Sequence, residues 1–98
     1  MHTMQIVQSD VFTAWLDHLN DERAAARVVT RIRRMEIGNA GDVRSVGEGV
    51  SEIRIDYGPG YRVYFARRGR TLVILLCGGD KKSQRKDIAL AKRMAKEA

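Results

Sequence analysis

The sequence predicts an α+β fold, with helices packed on a mostly antiparallel sheet, and three observations predict it. Residues 51–57 and 61–65 are two strict period-2 strands that meet across Gly58-Pro59-Gly60. Residues 72–77 form a short, uninterrupted apolar run of strand length. Apolar stripes at helical spacing occupy the chain before these strands and again after them.

Residues 4–8 alternate weakly and make a short first strand. Ser9 or Asp10 then caps a helix whose Phe12, Trp15, Leu16 and Leu19 recur at i, i+3, i+4 and i+7. Asn20-Asp21-Glu22 breaks that helix and caps a second, which carries Ala25, Val28, Val29, Ile32 and Met35 on one face. Arg23, Arg27, Arg31 and Arg34 lie elsewhere around it, and Gly38-Asn39-Ala40-Gly41 stops it. So short a connection makes the pair an antiparallel helical hairpin. Residues 42–46 form a strand with Gly47-Glu48-Gly49 as its turn, and the central hairpin follows. Arg67-Arg68-Gly69-Arg70 is a second turn. It leads into residues 71–77, which are apolar on both faces and therefore central in the sheet. A loop from Gly78 to Lys82 precedes a last helix, capped by Ser83, with Ile88, Leu90, Ala91, Met94 and Ala95 as its stripe. The order is β-α-α-β-β-β-β-α, and residues 1–98 read as one domain without repeat or linker.

Parity constrains the central hairpin. With a three-residue loop at Gly58-Pro59-Gly60, Tyr57 pairs with Tyr61, Asp56 with Arg62, and Arg54 with Tyr64. Ile53, Ile55, Tyr57, Tyr61, Val63 and Phe65 then share one face, whereas a two-residue loop would mix the faces. The opposite face displays Arg54, Arg62 and Tyr64 together and is the candidate working surface. Tyr61 belongs to the core by this parity, and Tyr64 points outward, where it could stack on a base. Arg62 beside Asp56 also reads as a plain ion pair, Arg54 as a solvating group or a partner of Glu52, and Glu52 as structural rather than a general base.

The net charge of +6 favours a polyanionic partner, either nucleic acid or an acidic protein. The single cysteine, Cys77, excludes an internal disulfide, fits a reducing cytosol and ends an apolar run, as an inert buried thiol would. The N-terminal residues show no secretory pattern, and the longest apolar run is far too short to span a bilayer. A cytoplasmic protein with no membrane partner is expected.

Most familiar chemistry is missing. His2 and His18 lack the spaced ligands of a metal site, and Gly58-Pro59-Gly60 leads into a strand instead of a phosphate-binding helix. Ser51 and Ser83 have no elbow motif. Nothing calls for a metal or cofactor. What stands out is charge: from residue 81 onward, Lys81, Lys82, Arg85, Lys86, Lys92, Arg93 and Lys96 face only Asp87 and Glu97, a local charge of +5. Arg85 and Lys86 sit in the first turn of the last helix, where the macrodipole disfavours cations and phosphate is attracted. Composition alone leaves an anion site and a solvated basic helix equally open.

These strings carry a resemblance. Glu52-Ile53-Arg54, Gly58-Pro59-Gly60-Tyr61-Arg62-Val63-Tyr64-Phe65, Gly78-Gly79-Asp80-Lys81-Lys82-Ser83-Gln84 and Asp87-Ile88 together are similar to the RelE/ParE superfamily of toxins. The branch they most resemble is the HigB-like addiction-module killer proteins. The resemblance spans essentially the whole chain. It implies the toxin of a type II toxin-antitoxin system, a ribosome-dependent, metal-independent mRNA endonuclease. A cognate antitoxin of helix-turn-helix type would neutralise it in a hetero-oligomer. It implies that Arg62 binds the scissile phosphate, that Arg54 faces the RNA, and that Lys81 and Lys82 form a basic loop beside them. Neighbouring cations favour a lysine's neutral form, so Lys81 or Lys82 is the candidate for exchanging a proton. Arg67, Arg68 and Arg85 would grip the backbone of mRNA or ribosomal RNA. ParE-like relatives inhibit DNA gyrase instead, and no His or Tyr follows Tyr64 to serve as the general acid of several nuclease members.

Overall fold

The computed structural model describes residues 3–98, so His2 lies outside the described residues. The elements follow the expected order: β1 (Gln5–Gln8), α1 (Asp10–Asp17), α2 (Glu22–Glu36), β2 (Val43–Gly47), β3 (Val50–Ile55), β4 (Tyr61–Arg68), β5 (Leu72–Gly79) and α3 (Gln84–Glu97). The strands make one sheet in the order β1-β5-β4-β3-β2. β1 runs parallel to β5, and the other three pairs are antiparallel.

Local chemistry starts and stops the helices as the sequence suggests. Ser9 caps α1: its Oγ accepts from the Phe12 N–H and donates to the Leu76 carbonyl at 2.6 Å, tying the helix start to β5. Asp21 caps α2 by accepting from the N–H groups of Arg23 and Ala24. Gly38, at φ 85°, releases the chain after α2.

The sheet is covered on both faces. On one, Phe12 of α1 and Val28, Ile32 and Met35 of α2 pack against Ile53, Ile55, Val63, Phe65, Val73 and Leu75. Ala24, rather than the expected Ala25, is the fully buried alanine of α2. Phe12 is fully buried, and removing such a side chain from water stabilises by about 1.5–3 kcal/mol. On the other face, Ala91 and Ala95 bring α3 close to Val50, Tyr64, Ala66, Leu76 and Cys77. A bulge lets β5 serve both layers. Phe65 pairs with Leu75 and Tyr64 with Cys77, so Leu76 is the extra residue and the facing pattern switches there.

Two expectations about the central hairpin are corrected. Ile55 pairs with Tyr61 and Arg54 with Arg62, a register two residues from the expected one. The loop therefore runs from Asp56 to Gly60. Tyr57 leaves the ladder to donate its hydroxyl to Asp21 at 3.0 Å, with its ring 4.6 Å from the Arg27 guanidinium carbon. The shift is even, so the faces keep their identities. The second correction concerns the polar face. α3 lies across it, and Tyr64 is completely buried instead of outward. Its ring is core, so it offers no surface on which a base could stack.

Candidate functional site

Three of the four quoted strings converge on one carboxylate. Glu52 is 1% exposed at the centre of the sheet, on the face that α3 covers. Its Oε1 accepts from Arg54 Nε at 3.1 Å, and its Oε2 accepts from Gln84 Nε2 on α3 at 3.3 Å. Arg62 Nε lies 3.8 Å from the same Oε2, an ion contact too long for a hydrogen bond. Arg54 and Arg62 are direct cross-strand partners, so two like charges stand opposite each other. Such a pair is destabilising unless an anion lies between. Glu52 supplies one negative charge for two guanidiniums, so these three side chains carry a net charge of +1, with Asp42 and Asp56 also lining the groove beside them.

The two arginines differ in setting. The Arg54 side chain is 41% exposed and that of Arg62 only 7%. Arg62 donates through Nη1 to the Gly60 carbonyl at 2.8 Å, while its buried Nε has no hydrogen-bond partner. Gly60, at φ 79°, is also where Lys81 approaches. A Cβ on that glycine would stand 3.5 Å from Arg62 Nη1 and 3.6 Å from Lys81 Cβ. Arg54, Arg62, Tyr61 and Gly60 line an open groove of about 320 Å³, together with Asp42, Ile55 and Asp56. Arg31 braces this corner from α2, donating to the carbonyls of Arg54 at 2.7 Å and Ala40 at 3.2 Å.

The start of α3 is organised by carboxylates. Asp80 Oδ1 accepts from the N–H groups of Lys82 and Ser83. Ser83 stands at the N-cap position, but its side chain caps nothing. Its Oγ accepts from the Asp80 N–H and donates to Asp87 Oδ2 at 2.5 Å. Acidic groups thus already satisfy part of the helix N-terminus, whose use as an anion site was one of the two readings the sequence left open. Gly79 is required by the same arrangement, since a Cβ there would lie 1.8 Å from Asp87 Oδ2. Burial raises the Tyr64 hydroxyl well above its ordinary value, with Glu52 and Asp87 adding to the effect. Burial likewise pushes the Cys77 thiol up to about 12, as fits the inert thiol expected.

Of the expected site residues, Arg54 and Arg62 come together, and Lys81 approaches the adjacent turn, its N–H donating to the Pro59 carbonyl at 3.4 Å. Lys82 and Arg85 are exposed nearby on the loop and the first turn of α3. Arg67 and Arg68 end β4, about 17 and about 20 Å along the strand from Arg62 at the usual rise per residue. There Arg68 Nη2 donates to the Ala95 carbonyl at the end of α3, and Arg67 reaches Met4. Lys92 and Lys96 are engaged with Glu48 at 3.4 and 3.3 Å, which pins the β2–β3 turn to α3 and lowers the Glu48 carboxyl. The sequence offered Glu52 as structural and as a partner of Arg54, but not its contact with Arg62 or its hydrogen bond from Gln84. The conjunction of Glu52 and Gln84 with Arg54 and Arg62 in the quoted strings was the available signal. Among the described residues no group of three or more His, Cys, Asp and Glu side chains could hold a metal ion. No helix among them is long and apolar enough to cross a membrane.

A family model described as Phage derived protein Gp49-like (DUF891) matches residues 14–96. The chain belongs to the Gp49-like family. The match begins within α1 and takes in the whole Glu52–Arg54–Arg62–Gln84 arrangement. Gp49-like proteins are RelE-like toxins, and membership implies a cognate antitoxin as partner. A protein of Haemophilus influenzae described as an uncharacterized protein is 50% identical over 95 residues, covering 97% of this chain and 96% of its own.

Proposed function

We propose that this Gp49-like protein is the toxin of a type II toxin-antitoxin system, of the HigB-like branch, and acts in the cytoplasm as a ribosome-dependent mRNA endonuclease. The observation that carries this reading is the opposed pair Arg54 and Arg62, held by one buried carboxylate with Lys81 alongside. Such a cluster suits a phosphodiester whose charge grows in the transition state, because its donors are already oriented and half-desolvated. The ribose 2′-oxygen attacks the adjacent phosphorus and loses its proton, and the bond to the 5′-oxygen breaks as that oxygen gains one. The products are a 2′,3′-cyclic phosphate and a 5′-hydroxyl, and the step needs no metal. Arg62 and Arg54 bind the phosphoryl oxygens. Lys81 or Lys82, the exposed cations on the neighbouring loop, are the proposed proton carriers. Lys82, Arg85, Arg67 and Arg68 hold the flanking RNA by charge, as a basic surface does. The neutralising antitoxin would be a helix-turn-helix protein joined with the toxin in a hetero-oligomer.

A second reading is supported by one specific observation: Tyr64 is buried and no histidine lines the arginine groove, which leaves no imidazole acid there and Tyr61 as the one phenol of its lining. That favours inhibition by binding, as in gyrase-directed ParE-like toxins. A purified translation reaction separates the two. Cuts that require ribosomes and vanish with Arg62→Ala support the nuclease. Intact mRNA from a folded protein that still arrests growth favours the gyrase reading, to be followed by a supercoiling assay.

A further inference from the structure

Tyr61 is a wall shared by two grooves. On one side lie Arg54 and Arg62; on the other is a larger groove of about 500 Å³, within the ~300–1,000 Å³ typical of ligand sites. Trp15 and Tyr61 form its aromatic part, with ring centroids 6.3 Å apart and planes at 65°. Gly78 forms its floor, and a Cβ there would stand 2.3 Å from the Trp15 ring, so the indole rests on bare backbone.

The polar rim differs from that of the arginine groove. Asp21, Asp80 and Asp87 line it against a single cation, Lys86, so a phosphate would be repelled. His18 Nδ1 lies 2.7 Å from the Ala14 carbonyl, which places the proton of the neutral ring on Nδ1 and leaves Nε2 as an acceptor. Asn20 is exposed at the rim. Aromatic faces beside a few donors and acceptors are what a splayed-out RNA base requires.

We infer that this groove is a base pocket, which takes the nucleobase attached to the phosphate that Arg54 and Arg62 hold on the other side of Tyr61. The inference rests on the nuclease reading above and adds a specificity subsite to it. His18 Nε2 and the ionised carboxylates at the rim only accept hydrogen bonds, so the pocket favours a base with an exocyclic amine, namely adenine, cytosine or guanine, over uracil.

The test maps cut positions at single-nucleotide resolution on a compositionally balanced mRNA in a translation reaction, for wild type, His18→Ala and Asn20→Ala, with folding followed by circular dichroism. Wild type should cut beside uracil roughly tenfold less often than beside the other bases, the size of one well-made hydrogen bond. At least one of the two variants should shift that distribution several-fold. Cutting with no bias against uracil, or with a bias that neither variant alters, overturns the base pocket and leaves the nuclease reading standing. A wild type that cuts nothing removes both.

Discussion

Replacing Glu52 by alanine tests whether this carboxylate holds the site together. The change leaves Arg62, whose side chain is 7% exposed, with the Gly60 carbonyl as its hydrogen-bond acceptor and no counter-charge within contact. Removing one partner of a buried ion pair costs about 3–5 kcal/mol, because the remaining charge is left uncompensated. The Arg54 contact adds little, since its side chain is 41% exposed and water replaces most of what is lost, about 0–1 kcal/mol for such pairs. The long 3.8 Å contact places the expected total at the lower end, about 3 kcal/mol. For a chain of this size that lowers Tm by roughly 12–24 °C. Urea unfolding followed by circular dichroism would measure it. Glu52→Leu combined with Arg62→Met removes both charges and should recover most of the loss. A loss under about 1 kcal/mol for Glu52→Ala, or a double variant no more stable than the single one, would refute the buried-clamp account.

Further outcomes follow from the same geometry. Cys77 and Tyr64 keep their protons in the folded protein at pH values where the unfolded chain, with ordinary values of 9.0 and 10.0, releases them. The unfolded state then binds fewer protons, so stability should fall above about pH 9, by up to about 1.4 kcal/mol per pH unit for each group. Tyr64→Phe and Cys77→Ala should each flatten that slope in unfolding curves taken from pH 8 to 11. The Cys77 thiol should resist alkylation at pH 8 until the protein is unfolded, and rapid native-state modification would contradict its burial. Gly78→Ala drives a methyl into the Trp15 ring and should cost about 1–3 kcal/mol, with a shift in emission from the protein's single tryptophan.

The apolar pattern made much of this fold legible. Ile53, Ile55, Val63 and Phe65 alternate so strictly that the face they bury follows from the sequence, as does the central place of β5. The register does not follow, because alternation fixes pairing only up to an even shift. A three-residue and a five-residue loop are equivalent by that measure. What selects the longer one is tertiary: Tyr57 reaches Asp21 at the start of α2 and lies under Arg27. The polar face misled for a different reason. Glu, Arg and Tyr alternating along two strands look solvated, since such charges are seldom buried unless paired. Here Glu52 is paired with both arginines and with Gln84 of α3, while the Tyr64 hydroxyl is buried without a partner. The glycines were the overlooked signal. Gly79 has no side chain where Asp87 packs, and Ala91 and Ala95 mark the helix face that closes over Tyr64. Of the candidate site, the resemblance singled out Arg54 and Arg62, which the fold places opposite each other, whereas Tyr64 was misplaced by treating parity as exposure.

The most direct test of the central claim is to identify the ends of mRNA cut on translating ribosomes by wild type and by Arg62→Lys, a variant that keeps the charge but loses the planar fork. The account predicts 2′,3′-cyclic phosphate and 5′-hydroxyl ends from wild type, and a loss of cutting of about a hundredfold or more in the folded variant. Ends bearing a 3′-hydroxyl and a 5′-phosphate, or full cutting by Arg62→Lys, would contradict it.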